Sequence, residues 1–225
     1  TWGYVEKGQE YAGETTISGG KVTGDVAAVN YDGQTAKPDV KITGDAEIIG
    51  SLKTCNYDGG KFTDKNNDDG SKLTVSGGSF SQAVNKDHLD STLKAELNTG
   101  KGDVPYSYYP TVNEAKEAAK KAGGGTVTDL TTPTTKTYTV TLKFANDGET
   151  TDQVLTVAEN GIMILPTPTR SGRYAFCYWT DGTNTYNAGD AYTVSGNATL
   201  TAVWRYTGSS SSGITSSYPV SVPRF

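Results

Sequence analysis

One histidine, His88, and two cysteines, Cys55 and Cys177, are the strongest nucleophile and base candidates in a chain of 225 residues. A Ser-His-Asp or Cys-His relay needs the imidazole in hydrogen-bond reach of both nucleophile and orienting carboxylate. No nucleophile-elbow pattern stands near His88, so its expected role is to cap or solvate the start of a helix that follows it. Cys55 and Cys177 lack the Cys-x-x-Cys or Cys/His spacing of a zinc site. They fall in different modules and are expected to be two unpaired, buried thiols that act as small apolar fillers.

The run Asp64-Lys-Asn-Asn-Asp-Asp-Gly70 alternates hard oxygen ligands at Asp64, Asn66 and Asp68, as a calcium loop would. It departs from the EF-hand template twice: Gly70 comes one place late, and Val75 takes the twelfth position, where a bidentate Glu is required. The run reads as a solvated insertion in one repeat. Asp25 and Asp45 sit beside turns, where solvated carboxylates are ordinary. Tyr106, Tyr108 and Tyr109, with Tyr4, Tyr11, Tyr31 and Tyr57, could stack on sugars or a protein partner, but their expected role is to cap the ends of the coils and pack helices onto them, since Tyr suits half-buried strands. The expected catalytic, cofactor and metal sets are therefore empty, and the chain reads as non-enzymatic.

The elements that would carry these residues follow from composition. A hydrophobic content of 34% with 27 Gly and 14 Tyr is turn-dense and strand-dense, and suits two small β-modules better than one large core. The net charge is -5 and only four arginines occur (Arg170, Arg173, Arg205, Arg224), so no guanidinium cluster marks a nucleic-acid partner. No apolar run reaches the roughly 20 residues of a membrane span. The chain reads as part of a longer protein whose export and anchoring signals lie elsewhere.

Two phrases recur over residues 1–88. Ile17-Ser-Gly-Gly-Lys-Val22 returns as Tyr57-Asp-Gly-Gly-Lys-Phe62 and Val75-Ser-Gly-Gly-Ser-Phe80, with Ile42-Thr-Gly-Asp as a relative; Asn30-Tyr-Asp-Gly33 returns as Asn56-Tyr-Asp-Gly59. Ile17 to Ile42 is 25 positions and Asn30 to Asn56 is 26, so the phrases keep step. A period in the middle twenties, with short apolar strands split by glycine corners, predicts successive coils of a short right-handed parallel β-solenoid, or β-helix. A hairpin-linked β-sandwich is the competing reading. A solenoid also admits a carbohydrate-binding or carbohydrate-active alternative, which would need clustered Asp, Lys or Arg along one face.

Residues 89–130 predict a helix-helix-strand cap. Leu89, Leu93 and Leu97 recur every four residues behind Asp90 and Ser91, which predicts a first helix ending at Gly100. After an aromatic loop at Tyr106–Pro110, Thr111 and Glu114 have capping-box spacing ahead of an Ala/Lys run that stops at Gly123. Thr126 to Leu130 reads as a strand. Residues 131–137, with Pro133, read as a linker, and residues 205–225 as a Ser-rich one.

From Tyr138 the pattern alternates strictly: Tyr138, Val140, Leu142 and Phe144 share a strand face, and four or five further strands are expected. The opening Tyr-Thr-Val-Thr-Leu-Lys-Phe strand is followed by Leu165-Pro-Thr-Pro-Thr-Arg-Ser-Gly172, Trp179-Thr-Asp-Gly, Gly189-Asp-Ala-Tyr-Thr-Val and Ala198-Thr-Leu-Thr-Ala-Val-Trp204. In this order, residues 138–204 resemble the Listeria-Bacteroides repeat, or internalin B-repeat. The resemblance implies a small β-grasp-like module used in tandem on bacterial surface proteins, often among adhesins of gut bacteria, with no active site. The family's Gly-Tyr-x-Phe-x-Gly-Trp stands here as Gly172-Arg-Tyr-Ala-Phe-Cys-Tyr-Trp179. The extra residue at Cys177-Tyr178 predicts a local bulge or shifted turn, with Phe176, Trp179 and Trp204 kept in the core. Residues 1–88 also look like the Gly-Gly-type repeats of clostridial surface proteins.

The sequence thus predicts a mainly β stalk or adhesion segment of a secreted or cell-surface bacterial protein. No cofactor is expected. The expected form is a monomer, and the expected partners are a host glycoprotein, a glycan or neighbouring surface repeats.

Overall fold

The structure, a computed structural model, describes residues 2–6, 9–31, 37–58, 60–64, 71–132 and 136–208. It is mainly β. The first part holds β1 (Trp2–Glu6), β2 (Gln9–Ala12), β3 (Glu14–Ile17), β4 (Lys21–Thr23), β5 (Val26–Tyr31), β6 (Asp39–Ile42), β7 (Glu47–Ile49), β8 (Leu52–Asp58), β9 (Lys61–Asp64), β10 (Lys72–Val75) and β11 (Ser79–Phe80). β3, β6 and β10 lie side by side and parallel, with Ile17 beside Ile42 and Ile42 beside Val75. β4, β7 and β11 repeat the arrangement with Val22, Ile48 and Phe80, and β5 pairs with β8 so that Asn30 meets Asn56. Ile17, Ile42 and Val75, and Asn30 and Asn56, are therefore in register across successive passes of the chain, but the expected copy Tyr57-Asp-Gly-Gly-Lys-Phe62 is not: Tyr57 stands opposite Phe62, because β8 and β9 pair antiparallel.

This stacking follows from the residues. Val, Ile or Leu alternates with polar residues along β4, β6 and β10, so one face turns inward. Ile42, Ile48 and Val75 are fully buried in one apolar cluster with Leu73 and Phe80. Burying each such side chain contributes about 1.5–3 kcal/mol. The corners are close. A Cβ on Gly50 would run into the carbonyl of Gly24 one turn before it, and a Cβ on Gly77 would come within 2.8 Å of the Gly44 amide.

One turn of 3-10 helix, Lys86–His88, leads to β12 (Ala95–Asn98), β13 (Tyr106–Tyr109), α1 (Val112–Lys121) and β14 (Gly125–Asp129). The helix expected behind Asp90 is not formed. Asp90 instead accepts the amide and hydroxyl of Thr92 in a tight turn, and Ala95 and Leu97 are buried in β12 while Glu96 and Asn98 are not. A period of two, set by pairing to β13 and β14 on both sides, overrides the Leu spacing of four. The expected aromatic loop at Tyr106 is likewise a strand, β13. The second helix forms as expected: Thr111 accepts the Glu114 amide at 3.1 Å, and the Glu114 carboxylate accepts the Thr111 amide at 3.2 Å. Ala115 and Ala119 face the sheet.

The last part adds β15 (Thr137–Lys143), β16 (Gln153–Ala158), β17 (Ile162–Ile164), β18 (Tyr174–Thr180), β19 (Thr185–Tyr186), β20 (Ala191–Thr193) and β21 (Ala198–Tyr206), six strands after β15 rather than four or five. β16, β15, β21, β18 and β19 form one sheet in that order. β17 and β20 join a different sheet, ordered β20-β17-β14-β12-β13-β11-β7-β4. That sheet spans both sides of the expected linker. The β18–β21 register shifts between Phe176 and Tyr178, which places the expected bulge at Cys177. Among the described residues no helix is long and apolar enough to cross a membrane.

Candidate functional site

A cavity of about 420 Å³ opens where the strand connections around α1 meet the five-stranded sheet. Its apolar wall comes from Leu142, Phe144, Leu155, Met163 and Pro166. Its polar lining comes from Asn98, Thr99, Lys101, Thr126 and Gln153. Backbone closeness shapes the floor: a Cβ on Gly124 would come within 3.1 Å of the Ile164 carbonyl, and one on Gly125 within 2.8 Å of Leu97. The proline segment is held from behind, because the Trp179 indole donates to the Pro166 carbonyl at 2.9 Å.

The rim is largely satisfied within itself. Lys101 donates to the carbonyls of Ala122 and Gly123 at 3.3 and 3.0 Å, capping α1 where its dipole is negative. Asn98 accepts the Gly100 amide at 2.8 Å, and the Thr126 hydroxyl donates to the Asn98 carbonyl at 3.3 Å. Among the described residues that line it, none is acidic and none is His or Cys. Such a surface can hold a neutral, partly apolar group. It carries no acid-base pair.

The residues singled out for chemistry lie apart. His88 is buried at the end of its 3-10 turn, burial pushes its pKa down, and its Nδ1 meets no partner. It neither caps nor solvates a helix start, since no helix begins there. Cys55 is buried on β8 and Cys177 half-buried at the bulge, and no disulfide joins them. The side chain of Asp64 and residues 65–70 lie outside the described residues, as do the linker residues 133–135 and the Ser-rich tail beyond 208. Among the described residues no group of three or more His, Cys, Asp or Glu could hold a metal ion. Asp25 accepts the Ser51 amide at 2.9 Å and pairs with Lys53 at 2.7 Å, so it ties one turn to the next, and these contacts hold its carboxyl well below the usual range.

The tyrosines divide. Tyr108 is buried beneath Phe80, with ring centroids 5.9 Å apart, and its hydroxyl accepts the Val84 amide at 2.6 Å while donating to Glu96 at 2.9 Å. Burial raises the Glu96 carboxyl pKa above its ordinary value. Tyr106 and Tyr109 pack against neighbouring clusters. Tyr4 stands opposite Tyr11, and Tyr31 beside Tyr57.

Two exposed tyrosines outside that set, Tyr174 and Tyr206, face each other across β18 and β21 with centroids 5.4 Å apart, and the Arg170 guanidinium lies 3.8 Å over the Tyr174 ring. The alternation of β21 could have placed Tyr206 on the Trp204 face. Neither Glu96 nor Lys101 carried a motif that would have flagged it.

Searches against protein-family models, curated proteins and solved structures give no match for this chain. The class the fold defines is that of a mainly β protein with parallel, in-register turns joined edge to edge to an antiparallel region.

Proposed function

We propose that the chain is a non-catalytic stalk or adhesion segment of a bacterial surface or secreted protein, with residues 1–88 as a short right-handed β-solenoid and residues 138–204 as a β-grasp-like repeat. The observation that carries this reading is the antiparallel ladder between β14 and β17, which continues one sheet from the stacked turns into the region that resembles the Listeria-Bacteroides repeat. A sheet shared in this way resists bending where a flexible linker would not. Stacked turns present a long polar surface at little cost in apolar area, as a spacer requires.

A second reading, a carbohydrate-binding module, draws on the cleft beside Met163 and on the exposed pair Tyr174 and Tyr206. Both readings are tested by immobilising the chain and passing over it neutral and acidic polysaccharides and mucin-type glycoproteins, with reducing-end release assayed in parallel. The stalk or adhesion reading expects no release of reducing ends. Release that rises with chain concentration would contradict it, and saturable binding lost on Tyr206→Ala would favour the second reading.

A further inference from the structure

The two ends of the stacked turns differ. At the later end β10 is covered: Leu89 bridges to Val75, and the Asp90 amide donates to the Val75 carbonyl at 2.8 Å. β11 is covered by antiparallel β13, with Phe80 opposite Tyr106. At the earlier end, β3 and β4 are the outermost strands of their sheets among the described residues. Their inward side chains show the difference. Ile17 and Val22 are only partly buried, whereas Ile42, Val75, Ile48 and Phe80, at the same positions in later turns, are at 2% or less.

Gly19 gives an independent sign. It has the place in Ile17-Ser-Gly-Gly that Gly77 has in Val75-Ser-Gly-Gly. Neither adopts a backbone that requires glycine, and Gly77 is accounted for by the turn before it, whose Gly44 amide would lie 2.8 Å from a Cβ. Gly19 has the same lack of side chain, yet a Cβ there would meet nothing within 4 Å among the described residues. The amides tell the same story. Thr43 and Ser76 donate to Ile17 and Ile42 of the preceding turn, both at 2.9 Å, while the equivalent Ser18 amide has no acceptor among the described residues. On the third side β1 already runs parallel beside β5, with Trp2 next to Val29.

We propose that the open edge formed by β3 and β4 is a strand-addition site. Its occupant is an extended polypeptide turn of this same repeat chemistry, with β-branched residues facing inward and glycine at the corner, laid parallel on β3 and β4. The added turn covers Ile17 and Val22, accepts from the Ser18 amide and passes over Gly19, repeating what the first turn does on the second. A second copy of the whole chain cannot be added head to tail, because Leu89 and β13 close the other end. The inference rests on the stacked-turn reading above.

The probe is a synthetic peptide of residues 13–24, the segment that already pairs in this geometry with β6 and β7. Titrated into the intact chain, it is expected to bind saturably at one per chain and to slow amide exchange at Ser18 and Lys21. Gly19→Ala, whose Cβ meets nothing in the chain alone, is expected to keep the melting temperature and to weaken peptide binding at least tenfold. A peptide carrying Thr15→Pro, which removes an amide on the side that pairs in this geometry, is expected not to bind.

Absence of saturable binding, or equal binding to the Gly19→Ala chain, would overturn the proposal. So would a dimer of the chain that Gly19→Ala abolishes, since the edge would then belong to a second copy. None of these outcomes bears on the polysaccharide and reducing-end assays, so failure here is distinguishable from failure of the stalk reading.

Discussion

Gly125 on β14 stands opposite Ile164 on β17, and the register continues through Thr126 with Met163 and Val127 with Ile162. This ladder is only three residues long, yet it changes the character of the molecule. The β17 strand belongs by sequence to residues 138–204 but pairs with the capping region before the expected linker. Val127 and Ile164 are both fully buried with Leu97, Ala115 and Ala119, so the joint has its own apolar core.

The glycine corners predict an asymmetry between two chemically identical changes. Gly77→Ala forces a Cβ to within 2.8 Å of the Gly44 amide and is expected to cost about 1–3 kcal/mol, the range of overpacking in a close-packed interior. Gly19→Ala meets open space and is expected to change stability by less than about 0.5 kcal/mol, or to raise it slightly through the unfolded chain. Urea denaturation of both variants checks the pair; equal losses would mean that the turns are not stacked.

Tyr108 and Glu96 predict a pH dependence. The folded Glu96 carboxyl titrates above its ordinary 4.5 because burial disfavours its charge. A raised folded value means that its contribution to stability is fully present below the unfolded pKa and is lost as pH rises through the folded one. Glu96→Gln is therefore expected to flatten the decline in stability above pH 4.5, read as melting temperature against pH. Tyr108→Phe removes the acceptor for the buried Val84 amide and the donor to Glu96, and is expected to cost about 1–3 kcal/mol by denaturation.

The two thiols are expected to react unequally. Cys55 is 3% exposed and should stay silent to a thiol reagent until the chain unfolds, while half-buried Cys177 should react in the native state. Native chain is expected to give about one fast thiol, and Cys177→Ser none. Two fast thiols would place Cys55 at the surface.

Trp179 predicts the stability of the antiparallel region. It is fully buried among Phe144 and Phe176, with its indole bound to the Pro166 carbonyl. Trp179→Ala is expected to cost about 3–5 kcal/mol, and Trp179→Phe less but more than the area change alone, because the Pro166 carbonyl loses its donor. Calorimetry on both variants checks the order.

What could be read from sequence follows from where each signal comes from. The phrases at Ile17, Ile42 and Val75, and at Asn30 and Asn56, reported which residues lie side by side, because identical turns must bury identical positions; Tyr57-Asp-Gly-Gly-Lys-Phe62 misled, since the same Gly-Gly chemistry also serves the antiparallel pair β8–β9. The extra residue before Trp179 reported the bulge at Cys177, since a strand with one residue too many must shift register. Leu89, Leu93 and Leu97 misled because a spacing of four satisfies a helix and, at Leu97 with Ala95, also a strand face; pairing to β13 and β14 decided between them. The β14–β17 ladder left no mark in the sequence, being a long-range pairing of two short apolar strands. The cleft beside Met163 exists only because of that pairing.

The most direct test is to pull a single chain between Trp2 and Gly208. One stiff body joined through Gly125 and Ile164 is expected to yield in a single cooperative event that releases roughly 70 nm, about 3.6 Å for each residue between the handles less the folded span. Gly125→Ala, whose Cβ would crowd Leu97 and Asn98, is expected to split that event in two. Two separate events in the unaltered chain, one for the stacked turns and one for residues 138–204, would contradict a continuous spacer and leave two beads on a flexible string.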